Sequence, residues 1–198
     1  MATKPQTGHL WDKYVISGQQ PGDPPASGVK VAWVNSEKFP GSHQYHIHWV
    51  YEKPRGITGA ESWKNMSHGP HEHKQPEIVA HIGTDPYHPM DLGGEVWFYL
   101  GKERELHKIT KSCLVYLPAG FIHSPWEIHK VTRPFVIVTV MQEEIHTEKP
   151  HPELCTEEEN LKKMMYIYQG YDNKERKIVL PPDMKQGWES GAKKTRKK

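Results

Sequence analysis

The 198 residues carry 26 Lys and Arg against 24 Asp and Glu, a net charge of +2, which argues against a chain-wide nucleic-acid surface. Hydrophobic residues make up 35% and the mean hydropathy is -0.79, low for a compact globule, so solvated ends should flank one core of ordinary size. With only Cys113 and Cys155, no disulfide framework is implied. Residues 1–18 hold no apolar signal-type run and no stretch reaches membrane-spanning length, so the expectation is a soluble cytoplasmic protein with no membrane and no nucleic-acid partner.

Residues 1–28 read as an N-terminal arm, polar at first and then broken by Gln20-Pro21-Gly22-Asp23-Pro24-Pro25. Trp11, Tyr14 and Ile16 are there to tack it to the rest of the chain or to a second subunit. Residues 29–34 and 44–51 are strand-like, parted by the Pro40-Gly41 turn, and 54–67 is loop. Residues 84–94, dense in Pro, Gly and Asp, form a loop long for a hairpin, at a pocket rim or in a dimer contact. Further strands are expected at 95–100, 104–110, 113–117, 126–131 and 135–141. No helical period appears between 69 and 141, and short strands at hairpin spacing predict an all-β antiparallel barrel or jelly-roll sandwich over residues 29–145.

The character changes in the extension 146–198. Thr156 as N-cap, acids in the first turn and Glu159 at the capping-box position start a short helix near 157–169. Leu161, Met164, Met165 and Tyr168 recur at helical spacing, and Gly170 follows as a C-cap. Residues 191–198 are a basic tail without interleaved aromatics, expected to be disordered solvated charge.

Fourteen histidines are the compositional oddity, and spacing must decide which matter. His71 and His73 are two apart, so on an extended strand both imidazoles point to one face. Glu77 keeps that parity, and Lys74-Gln75-Pro76 lets the chain bend and bring its carboxylate towards the pair. A further imidazole comes from His123, after the Pro118-Ala119-Gly120 turn that ends the run 113–117. Three His and one Glu are a borderline N/O donor set for one divalent transition metal (Fe, Mn, Ni, Co or Zn), with coordination positions left for a substrate. A competing match, His46, His48 and Glu52, lies in the second strand. Lys53-Pro54-Arg55-Gly56 after Glu52 cannot form a buried strand, and no Pro-x-Gly-x2-His follows before residue 69, so His46 and His48 are expected to line a pocket or face solvent.

These two stretches resemble the motifs of the cupin superfamily. The first, G-x5-H-x-H-x3,4-E-x6-G, is met by His71, His73 and Glu77, with Gly69 too close in front and Gly83 one residue early. The second, G-x5-P-x-G-x2-H-x3-N, is met at Pro118, Gly120 and His123, with Ser112 in place of its first Gly and Glu127 in place of its Asn. The resemblance covers roughly residues 69–141. It implies an antiparallel double-stranded β-helix, a small-molecule substrate and a homodimer.

Strand parity then proposes groups around the ion. Val79 and His81 share the face of Glu77, making His81 a general acid or base, or a hydrogen-bonding wall residue. Glu95, Trp97 and Tyr99 share a face too: inward, Glu95 is a second proton carrier and the rings line the substrate pocket; outward, they belong to a dimer interface. Cys113 has no cationic neighbour to activate it and is expected to be a small core residue. Two functions fit this reading: a metal-dependent enzyme, dioxygenase or isomerase, lyase or decarboxylase, and a small-molecule-binding or sensing barrel without turnover.

Overall fold

The computed structural model describes residues 14–16, 29–51, 67–173 and 175–181. Ten strands build two facing sheets. The first sheet contains β1 (Val29–Val34), β2 (Gln44–Val50), β5 (Glu77–Gly83), β8 (Cys113–Leu117) and β10 (Phe135–Met141), in the order β1-β2-β10-β5-β8. The second contains β4 (His71–Glu72), β6 (Asp91–Leu100), β7 (Glu105–Lys111), β9 (His123–Val131) and β11 (Lys149–Pro150), in the order β11-β4-β9-β6-β7. From β4 to β10 the chain crosses between sheets at every connection except the β6–β7 hairpin, which wraps it into an antiparallel double-stranded β-helix.

Alternation explains the closure. On β6, Val96 and Phe98 turn inward while Glu95, Trp97 and Tyr99 stay half-exposed on the outside; on β10, Phe135, Ile137 and Met141 are buried. Val50, Val79, Leu92, Leu117, Ile128 and Phe135, drawn from both sheets, fill one core. The registers of β2, β10, β5 and β8 align inward residues in rows across the first sheet. One row reads Gln44, Met141, Glu77, Leu117; the next His46, Thr139, Val79, Val115; the third His48, Ile137, His81, Cys113. Glu77 thus stands at one end of the barrel and His81 about 13 Å away along the same strand.

The segment expected as loop to residue 94 is shorter, because β6 starts at Asp91: Gly93 at φ 77° forms a bulge that Thr132 and Arg133 close by donating their N–H groups to its carbonyl. The helix is shorter as well. Helix α1 (Glu157–Lys162) has the expected capping box between Thr156 and Glu159, but Met164–Tyr168 is a strand, β12. It pairs in parallel with β3 (Ser67–His68) and antiparallel with β13 (Lys177–Val179). A run of two Met, two Tyr and one Ile fits helical and extended periods alike, and the unpaired edge of β3 decides for the strand. Arg104 pins the helix to the β6–β7 hairpin through a two-pronged contact with Glu159, at 2.8 and 3.1 Å. Of the expected N-terminal arm only residues 14–16 fall within the described part, with the Tyr14 ring 5.7 Å from that of Phe39; Trp11, Glu52 and the tail 191–198 lie outside it. Among the described residues no helix is long and apolar enough to cross a membrane.

Candidate metal centre

The end of the barrel marked by Glu77 collects imidazoles from both motif stretches. His71 on β4 is paired directly with His123 on β9, and the ligand atoms of His71, His73 and His123 lie within 4.8 Å of one another. All three side chains are buried. Each ring is oriented from behind. Nδ1–H donates to a backbone carbonyl in every case: Gly69 for His71 at 2.7 Å, Phe121 for His123 at 3.0 Å, and Thr147 for His73. This fixes the tautomer and leaves each Nε2 with a lone pair to offer.

Glu77 completes the set. Its Oε2 lies 3.0 Å from His123 Nε2 and 3.4 Å from His73 Nε2, yet this buried oxygen has no partner in hydrogen-bond geometry. The atoms stand beside one another without pointing donor at acceptor, as ligands of a common cation do. Neutral imidazoles and one carboxylate match the donor preference of a divalent transition ion, so the residues present fit one. Without it, charge is shared among them. Burial opposes ionising Glu77, but contacts from His123 and His73 outweigh it and hold the carboxyl well below its ordinary range. Burial likewise opposes the charged form of His73, yet Glu77, with help from Glu148, raises it to about 9. His71 is pushed well below the ordinary value by burial, only partly offset by Glu148.

Two separated β segments, each delivering its motif histidine to one point between two crossing sheets, settle the fold. The fold is that of the cupins. Solved structures similar to this cupin barrel include a double-stranded β-helix protein from Klebsiella pneumoniae, with 11% identity over 69% of this chain and 91% of that one (TM-score 0.38). An oxalate oxidase in complex with glycolate has 10% identity over 80% and 70% (0.40), and a DMSP lyase from Ruegeria pomeroyi 15% over 70% and 62% (0.37). No protein-family model matches the chain, and no curated protein does.

Around this centre the structure distributes the other sequence candidates differently. His81 is buried inside the barrel as parity requires, but it packs against Phe98, 6.5 Å ring to ring, whose other neighbour at 6.2 Å is His123. Its Nε2 accepts from Trp126 Nε1–H at 2.9 Å, and burial, only partly countered by the Val79 backbone, lowers its pKa to about 4. That is a neutral core histidine. Glu95, Trp97 and Tyr99 occupy the outer face of the second sheet: Trp97 donates to Glu95 and stacks on His129, and Arg104 lies over Tyr99. They therefore line no internal pocket: Val96 and Phe98, which alternate with them, are the buried inward pair. His46 and His48 face inward two strands away from β5, with His46 stacked on Trp33.

The groups that do border the centre come from outside the motifs. Glu148 is fully buried: its Oε2 accepts from His146 Nε2–H at 3.1 Å, and its Oε1 accepts from the Ile167 N–H at 3.2 Å and lies 2.7 Å from His68 Nε2. His146 sits 5.3 Å from His73, ring to ring, and Glu143 accepts from both the N–H and the hydroxyl of Thr147, whose carbonyl orients His73. His146-Thr147-Glu148 has the His-x-Glu alternation of a strand, and His68 stands three residues before His71. Those spacings were the available signal, but only the fold shows that β12 and β3 bring them to the same wall.

Proposed function

We propose that the protein is a metal-dependent enzyme acting on a small oxygen-bearing organic molecule, with His71, His73, Glu77 and His123 as ligands of one divalent transition metal. The observation that carries this reading is the buried Glu77 Oε2, without a hydrogen bond, among imidazoles whose Nδ1 atoms are already committed. When bound, such an ion supplies Lewis acidity or, if redox-active, dioxygen chemistry. The chain's part is to orient the rings and keep out bulk water. His146, hydrogen-bonded to Glu148 beside His73, takes the proton-carrying role that parity alone gave to His81 or Glu95.

Protein purified without chelator should carry close to one transition ion per chain. Iron oxidised on exposure to oxygen and a substrate pool selects the dioxygenase; a redox-silent ion selects isomerase, lyase or decarboxylase chemistry. Metal-free protein that still binds small molecules would overturn the enzyme reading in favour of a sensing or carrier barrel.

The working unit we infer is a homodimer, and the first sheet provides its surface. Outward residues of β2, β10, β5 and β8 are apolar in every row, among them Tyr45, Trp49, Ile82, Leu114 and Tyr116, all exposed. Those five side chains alone offer on the order of 600 Å², against about 800 Å² per partner in a standard interface, and their partly covered neighbours make up the rest. A face without charge at its centre suits a second copy of itself. Light scattering should give the dimer mass, and Leu114→Glu the monomer with metal content retained; a monomeric wild-type chain would remove this surface from the account.

A further inference from the structure

We propose that the chain binds a second divalent cation, held by His68, His71 and Glu148 beside the first centre. This rests on the reading of the first centre and extends it. The ligand atoms of His68, His71 and Glu148 lie within 4.8 Å of one another, close enough for a single ion. His68 Nε2 is shielded from solvent and makes no hydrogen bond, although Glu148 Oε1 is 2.7 Å away. Here, as at Glu77, a nitrogen and an oxygen lie side by side, not donor to acceptor. Glu148 is held as a ligand would be: Oε2 accepts from His146, Oε1 accepts from the Ile167 N–H, and its backbone exchanges hydrogen bonds of 2.7 and 3.0 Å with Gln169.

The C-terminal extension builds this site. Strand β12 pairs Met165 with His68 and so fixes the segment that carries the first ligand, while the same extension clamps Glu148 through Ile167 and Gln169. Gly69 makes the approach possible, since a Cβ there would meet the Tyr166 ring at 2.0 Å. His71 stands between the two sites, its ring 4.2 Å from that of His68 and 4.3 Å from that of His123. One imidazole nitrogen serves one ion. At full loading His71 therefore turns to the second cation, leaving His73, His123 and Glu77 with the first, and each ion has two imidazoles and a carboxylate. The expected separation is that of two-metal sites, about 3.5–4 Å.

Chelator-stripped protein titrated with Zn²⁺ tests this by calorimetry and X-ray absorption. The wild type should take up two equivalents, the first more tightly, and the number of imidazoles per zinc should fall from three to two as the second enters. His68→Ala, at a side chain 28% exposed and so tolerant of truncation, should remove only the second event. Glu148→Gln should do the same if it folds. His73→Ala should remove the tighter event, and if it does not, the first centre is misassigned. Saturation at one equivalent, or a second event untouched by His68→Ala (an adventitious ion only), overturns the second site while leaving the first standing.

Discussion

Two groups of three histidines share the interior of this barrel, and their difference shows what fits an imidazole to serve as a ligand. His71, His73 and His123 have Nδ1 tied to backbone carbonyls and Nε2 free to converge, with an unsatisfied carboxylate oxygen among them. His46, His48 and His81 also point inward, with His46 and His81 buried, but they face Trp33, Ile137 and Trp126 in an aromatic and aliphatic setting. Strand parity gives both groups the same direction. What separates them is the motif turns: Pro76 and Pro118-Ala119-Gly120 fold the chain so that His71 and His73 from one segment meet His123 from another, while His46, His48 and His81 stay in the rows of one sheet.

The sharpest way to break the comparison is to truncate one residue from each group. His71→Ala should lower the affinity for the first ion by at least about a hundredfold, whereas His46→Ala should leave it unchanged; equal losses would erase the distinction. Calorimetric titration of both variants reads this directly. A smaller effect separates the groups by pH. His81 has its folded pKa lowered to about 4 from 6.5, so between those values the unfolded chain holds a proton that the folded chain does not. Stability contributed by neutral His81 is complete above pH 6.5 and lost as the pH falls towards 4, about 3 kcal/mol in all. Denaturant midpoints measured across that window should fall in the wild type and flatten in His81→Gln.

Most of the barrel could be read from the chain, because short β-branched runs between Pro and Gly turns dictate strands, and two candidate ligand motifs in order indicate where they meet. Side-chain direction on β5 followed from alternation, so His81 was correctly placed inside. Its distance from the centre was there to be read as well, since four residues of strand rise put it about 13 Å from Glu77, too far to share an ion's surroundings. On β6 parity puts Glu95, Trp97 and Tyr99 on one face but does not say which, and only the burial of Val96 and Phe98 shows that it is the outer one. Helix against strand at 164–168 was decided by a pairing with Ser67 and His68 nearly one hundred residues earlier. The same long-range pairing delivers His68 and Glu148 to the centre, and local patterns cannot show it.

The most direct test is X-ray absorption on protein loaded with a single equivalent of Zn²⁺, where imidazole rings give their own outer-shell scattering. Three imidazoles and oxygen at about 2.0–2.1 Å are predicted, dropping to two in His123→Ala. A zinc environment without imidazole, or one that His123→Ala leaves intact, would contradict the metal centre described here.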